Sequence, residues 1–341
     1  MIMDDNQKRK DEHIAINLEQ DVRSSLTTGF EQFSLPHRAL PEIDLQQVDA
    51  GTEFLEKRLA APVLISSMTG GTELGDRINR NLAWAAQSAG IAMGVGSQRT
   101  TIEEGSFSPG SDLRKIAPDI LLFANLGAIQ LNYGFGLLEC QRALDSIQAD
   151  GLILHLNPLQ EALQKEGQTR FGGLLDKIGI ICRALEKPVI IKEVGWGISV
   201  EDARRLIEVG VTAIDVAGAG GTSWSEVEKR RHHDESLYRV SSVFRDWGIP
   251  TATAVQNLAG AFPNIPLIAS GGLRTGLDLA KAVAMGAKLG GFAGALLAAA
   301  ADSSEQALKA VNEIILELRI AMFSAGAVNI FALKDIKLTH R

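Results

Sequence analysis

The feature that most constrains this chain is a recurring unit: a short aliphatic run, a loop rich in Gly, Ser or Asn, then an amphipathic helical stretch. The aliphatic runs fall at residues 62–67, 91–96, 120–125, 151–156, 188–193, 212–217, 266–270 and 289–293. They are near-continuously apolar, the pattern of parallel strands covered on both faces. Helical periodicity lies between them, for example over residues 74–89, 199–209 and 277–285. Strands and helices in this alternation predict an α/β fold closed into a TIM-type (β/α)8 barrel. The competing architecture, an open doubly wound sheet, usually carries fewer strands and one dominant glycine fingerprint. The predicted organisation is a barrel over residues 62–341, preceded by an N-terminal extension, residues 1–61, that plugs or caps it.

Composition narrows the partners. The formal net charge of -7 argues against nucleic acid, whose binding rests on many phosphate contacts by Lys and Arg. A small anionic ligand needs only a local basic pocket. No uninterrupted apolar run reaches the ~18 residues of a spanning helix, so no membrane partner is expected. The opening MIMDDNQKRKDE has no apolar stretch behind its charges, so no secretory signal is expected and the location should be cytoplasmic. Cys140 and Cys182 sit in helical stretches with no metal-ligand spacing and read as reduced, buried thiols.

In such barrels the chemistry sits where strands end and the following loops begin. Those ends are polar here. The first strand runs into Ser67-Met68-Thr69-Gly70-Gly71, the second into Ser97-Gln98-Arg99, and the third ends at Asn125. The fourth gives His155-Leu156-Asn157-Pro158-Leu159-Gln160-Glu161, the fifth carries Lys192, and the sixth leads to Gly220-Gly221-Thr222. Ser270-Gly271-Gly272-Leu273-Arg274 follows the seventh and Ala293-Gly294 the eighth. The opposite ends read as plain turns such as Glu186-Lys187-Pro188. Ordinary surface loops would scatter polar residues at both ends, so the asymmetry points to a site. Paired glycines that open a helix expose backbone N–H groups to an anion, and with Arg274 and the next glycine turn they predict a phosphate monoester site.

The stretch SGGLRTGLDLAKAVAMGAKLGGFAGALL resembles the phosphate-binding half of the FMN-binding barrel superfamily. Lys192 is placed like the superfamily lysine at the flavin N1–C2 edge, where a cation stabilises the anionic reduced flavin. The hydroxy-acid oxidases of that superfamily need a histidine base and an arginine clamp just after strand six. This chain has Gly220-Gly221-Thr222-Ser223-Trp224 there and no histidine until His232.

What stands in their place resembles the type II isopentenyl-diphosphate isomerases across essentially the whole chain. The matching pieces are RKDEH at residues 9–13, SSMTGG at 66–71, SQR at 97–99, HLNPLQE at 155–161, KEVGWG at 192–197 and GAGGTSW at 218–224. The resemblance implies FMN as cofactor, reduced by NADPH, with Mg2+. It implies a 1,3-proton shift from isopentenyl to dimethylallyl diphosphate, in which reduced flavin offers a π face to the cation and a proton relay. The basic N-terminal segment would close over this small-molecule diphosphate. Arg9, Lys10, Arg99, His155 and Asn157 would hold it, with Gln160 beside the reacting carbons. Ser67, Met68, Thr69, Ser97, Asn125, Lys192, Thr222, Gly271, Gly272, Arg274, Ala293 and Gly294 would hold FMN. Glu161, the lone carboxylate among neutral groups, suits Mg2+, which takes one or two carboxylates plus substrate oxygens. His155 and Asn157, alternating along the strand, should point the same way. Glu228 is a candidate for shuttling the proton, against the plainer reading of a solvated helix carboxylate. Barrels of this kind often associate, so a homo-oligomer, tetramer or octamer, is expected; the C-terminal helix at residues 307–320 would dock on its own barrel or on a neighbour. The alternatives are an FMN-dependent oxidoreductase of a small hydroxy or keto acid and a non-catalytic flavin-binding barrel. Neither has a use for HLNPLQE or the basic N-terminal segment.

Overall fold

The computed structural model describes residues 5–105, 112–232 and 234–341. Eight parallel strands close into a barrel: β1 (Val63–Ile65), β2 (Ala92–Gly94), β3 (Leu122–Gly127), β4 (Gly151–His155), β5 (Val189–Lys192), β6 (Ala213–Asp215), β7 (Leu267–Ala269) and β8 (Leu289–Phe292). Neighbours in sequence are neighbours in the sheet, and β8 closes on β1. Each strand coincides with a predicted run, usually shorter because the last residues curl into loops. β3 is the exception and continues to Gly127. Register puts Gly127, His155, Lys192 and Asp215 on one level across β3 to β6. That level becomes the floor of the site.

The helical layer departs from one helix per strand. After β2 the described residues form two short pieces, Arg99–Glu104 and Leu113–Ile116. After β6 come three helices, Trp224–Arg231, Glu235–Val243 and Thr251–Ala261. The C-terminal helix Ser304–Ala325 buries Ala307, Val311, Ile314, Leu318 and Met322 against helices Glu73–Ala89 and Gly276–Ala284. It therefore docks on its own barrel. Leu316 and Ile320 remain on its outer side.

The first sixty residues serve both ends of the barrel. An antiparallel hairpin, Thr52–Phe54 with Lys57–Leu59, sends Phe54 and Leu59 against a buried layer that includes Leu64, Phe123, Ile153, Ile190 and Ile268. The Phe54 ring meets Phe123 edge-on at 6.4 Å. At the other end, helix Asp5–Glu19 crosses the mouth, with Ile16 packed on Val22, Val227 and Trp224. The termini are tied by a short antiparallel pairing of Phe33–Ser34 with Thr339–His340.

Both cysteines lie in helices, as expected, but only Cys140 is fully buried; Cys182 is half-buried. Burial pushes the two thiols up, to about 12 and about 11 respectively. Among the described residues no helix is long and apolar enough to cross a membrane.

Candidate active site

A cavity of about 790 Å3 opens at the C-terminal mouth of the barrel, beneath the N-terminal helix. Of the residues singled out above as candidate ligands of cofactor, substrate or metal, every one lines it; Glu228 stands one step behind.

One end of the cavity has features that would suit an anion. Gly271 and Gly272 adopt φ of 97° and 85°, in the left-handed region that favours glycine. A Cβ on Gly271 would lie 2.1 Å from the Gly218 carbonyl oxygen, so the loops after β6 and β7 pack closely because both are glycine there. The two helix starts beside this turn differ. Gly276–Ala284 is closed by Thr275, whose hydroxyl accepts from the Asp278 N–H. Gly294–Asp302 begins at Ala293 with no side-chain cap, and that start lines the cavity. Uncapped N–H groups at a helix start suit phosphate. Arg274 lies beside them.

The floor is polar and largely fixed. Asn125 donates through Nδ2 to the Val95 carbonyl at 3.0 Å, which turns its Oδ1 toward His155 Nδ1 at 2.9 Å. His155 is thereby the Nδ1–H tautomer, with Nε2 as an acceptor. Burial, with a contribution from Lys192, pushes this imidazole down to about 3, so it is neutral near pH 7. Lys192 Nζ donates to the Glu193 carbonyl at 2.6 Å. The Glu193 side chain instead accepts the N–H groups of Val194, Gly195 and Trp196 at 2.6–2.7 Å, and fixes the turn after β5. Ser67 Oγ is buried without a partner.

The strand expected to run up to Pro158 in HLNPLQE is shorter. The strand stops at His155, and helix Pro158–Leu163 starts with Pro158 in its first turn. Strand alternation therefore does not bring Asn157 and His155 together; the helix start turns Asn157 inward. Asn157 Nδ2 donates to Gln160 Oε1 at 3.2 Å and Glu161 Oε1 at 2.9 Å, while its own Oδ1 is buried and unpartnered. Glu161 Oε2 accepts the Gln168 N–H at 2.6 Å. Glu228 is not solvated. It is fully buried, and receives Gln160 Nε2 at 3.2 Å, His13 Nε2 at 3.0 Å and Arg231 Nη1 at 2.7 Å. Burial works against its charge, but His13 and Arg231 together hold the carboxyl below its ordinary value.

The N-terminal helix brings the basic residues to this rim. Arg9 donates to Gln164 Oε1 at 2.9 Å, and Lys10 to Thr100 Oγ1 at 3.0 Å. Arg99 bridges Glu103 at 2.8 Å and Gln168 Oε1 at 3.4 Å. Sequence reasoning missed Gln164, Gln130, Asn17 and Trp224, which also line the cavity. Gln164 lies four residues after Gln160 and Asn17 four after His13, so helical spacing contained a signal for both. Gln130, in a 3-10 turn after β3, had none.

Residues 156–340 match the family of FMN-dependent dehydrogenases. A protein of Synechococcus sp. named isopentenyl-diphosphate delta-isomerase is 52% identical over 328 residues, spanning 96% of this chain and 94% of its own length. One of the same name from Synechocystis sp. is 51% identical over 340 residues, spanning 99% and 97%. Among solved structures, a mandelate oxidase with a C4a-OH-FMN adduct aligns over 99% of both chains, with a TM-score of 0.67 and 17% identity. That likeness is one of fold.

Proposed function

The chain belongs to the isopentenyl-diphosphate delta-isomerases, within the FMN-dependent dehydrogenase family, and from that premise we propose that it converts isopentenyl diphosphate to dimethylallyl diphosphate by a 1,3-proton shift, using reduced FMN and Mg2+. The observation that carries the reading is the buried chain His13–Glu228–Gln160, which ends in a cavity with an uncapped helix start at one side and basic residues at the other. The hydroxy-acid oxidase alternative lacks its histidine in the loop after β6.

The residues present fit FMN. Gly271, Gly272, Arg274, Ala293 and Gly294 suit the phosphate, and a Cβ on Gly294 would still leave Thr222 Oγ1 3.9 Å away. Ser67, Met68, Thr69, Ser97, Asn125, Lys192 and Thr222 would surround the rest, with the orphaned Ser67 hydroxyl free to bond. When bound and reduced, by NADPH in this reading, the cofactor supplies an electron-rich face and a protonable nitrogen. Mg2+ fits a more modest donor set. Among the described residues no cluster of three or more His, Cys, Asp or Glu is placed to hold a metal. Glu161 and the unpartnered Asn157 Oδ1 would share the ion with substrate oxygens.

The side chains have separable tasks. Arg9, Lys10, Arg99 and His155 would grip the diphosphate, with Arg forks matching its oxygens, and Asn157, whose NH2 is taken by Gln160 and Glu161, would reach it through the shared ion. His155 Nε2 is an acceptor in this tautomer, so contact with a diphosphate oxygen brings a proton with it. Gln160 is held from both ends, its NH2 on Glu228 and its carbonyl under Asn157, a fixed amide that would sit beside the reacting carbons. Glu228, ionised between His13 and Arg231, balances charge as the proton moves. The N-terminal helix excludes water, which strengthens these interactions. In this reading residues 1–61 serve as an extension that caps the barrel of residues 62–341 and adds basic residues to the site. We expect a cytoplasmic homo-oligomer, tetramer or octamer, by light scattering.

The test is an anaerobic assay in D2O with FMN, NADPH, Mg2+ and isopentenyl diphosphate, read by NMR. Dimethylallyl diphosphate carrying solvent deuterium, and none without reductant, is the expected result. Flavin that reduces while the diphosphate returns unchanged would remove the substrate assignment.

A further inference from the structure

The two arginines at the rim of the cavity meet different partners. Arg99 pairs with Glu103, one turn along its own helix, at 2.8 Å, so part of its charge is answered within the protein. Arg9 makes no ion pair among the described residues. Its guanidinium rests on an amide instead: Nη1 donates to Gln164 Oε1 at 2.9 Å. Gln164 is buried where helix Pro158–Leu163 ends, and its N–H bonds the Gln160 carbonyl at 3.0 Å. The backbone that carries the amide is therefore fixed. The carboxylates whose charge reaches Arg9 are turned to other partners. Glu161 accepts Asn157 Nδ2 and the Gln168 N–H, and Glu228 accepts His13, Arg231 and Gln160. Burial pulls Arg9 below its ordinary value; Glu161 and Glu228 oppose that, while Arg99 and Arg231 add to it. The guanidinium stays charged throughout. A half-buried cation held by a neutral amide has its direction set and its charge uncancelled.

We propose that Gln164 is a positioning residue for the diphosphate: its neutral amide aims Arg9 at the cavity without quenching the charge that the substrate needs. This role rests on the isomerase reading above, in which Arg9 grips the diphosphate. A carboxylate in the same place would have the same shape, but it would pair with Arg9 before substrate arrived. The amide gives the guanidinium a hydrogen bond and no counter-charge. A side chain that only braced the loop would make binding and stability fall together. A support that spares the charge makes them separate.

The experiment measures binding of inorganic pyrophosphate to the FMN-loaded protein by titration calorimetry, with thermal unfolding of the same samples. Gln164→Glu should bind pyrophosphate about tenfold more weakly, the scale of a misplaced charge at a charged site, yet unfold no lower than Gln164→Ala. Gln164→Ala should weaken binding by about threefold, the worth of one lost hydrogen bond. In an Arg9→Met background Gln164→Ala should change nothing, because the amide acts through Arg9. In turnover Gln164→Glu should raise KM for isopentenyl diphosphate and leave kcat in place, since the diphosphate grip is common to ground and transition states. Gln164→Met, of similar length with no amide acceptor, replaces the Ala variant if that one does not fold. Pyrophosphate bound by Gln164→Glu as tightly as by Gln164→Ala overturns the proposal. So does a loss in Gln164→Ala that persists once Arg9 is removed. Both results would leave the isomerase reading standing. Wild-type protein that binds no pyrophosphate would overturn the diphosphate reading itself, and the proposal with it.

Discussion

One N-terminal extension reaches both ends of this barrel and treats them in opposite ways. At the bottom, the hairpin Thr52–Phe54/Lys57–Leu59 drives Phe54 into a layer of aliphatic side chains. At the mouth, helix Asp5–Glu19 roofs a cavity of about 790 Å3 whose wall keeps Ser67 Oγ and Asn157 Oδ1 buried and unpartnered. The bottom is finished by packing alone. The mouth is left unfinished, with donors and acceptors waiting for partners the chain does not supply. Buried polar atoms without partners are rare in folded proteins, and three of the seven among the described residues, on Ser66, Ser67 and Asn157, line this cavity, where a ligand could complete them.

The comparison breaks most sharply by truncating the plug. Phe54→Ala should cost about 3–5 kcal/mol of stability, read by urea unfolding, with FMN affinity unchanged. A variant that lost FMN would show that the two ends are coupled. Next in size, Gln160→Asn should lower turnover by about a hundredfold while leaving the unfolding midpoint in place. Normal turnover would remove Gln160 from the chemistry. Glu161→Gln is expected to weaken the Mg2+ response by roughly tenfold in a metal titration, on the scale at which ligand-shell changes act. An unchanged titration would count against a ligand role.

The smallest effect is in the pH dependence of stability. His155 falls in the folded state from 6.5 to about 3, so its contribution is present above pH 6.5 and lost as the pH falls toward 3. Glu193 rises from 4.5 to about 7, so its contribution is present below pH 4.5 and lost as the pH climbs through 7. His155→Gln should flatten the acid limb of a stability–pH curve and Glu193→Gln the alkaline limb. Limbs that do not change would show that neither group is as buried in solution.

Much of this was readable in advance, for a physical reason. A parallel strand covered on both faces must be apolar along its length, so all eight announced themselves, and the polar residues at their ends marked the mouth. Boundaries were less legible. Pro158 was readable as a strand stop, yet the strand had already ended at His155, and Asn157 turned inward with the helix start. The fate of Glu228 was hidden for a different reason. Arg231 lies three residues on in the same helix, a local pair, but His13 and Gln160 come from helices Asp5–Glu19 and Pro158–Leu163, and no local pattern links them to it.

The sequence by itself determined the barrel, the end that carries chemistry, and the residue types gathered there, because periodicity and loop composition are local properties. Only the tertiary structure decided which polar groups satisfy one another and which stay open. It buried Glu228 among three donors, fixed the His155 tautomer through Asn125, and left Asp215 Oδ2 buried without a partner. Those outcomes depend on distances between residues far apart in the chain, and only closure of the barrel sets them.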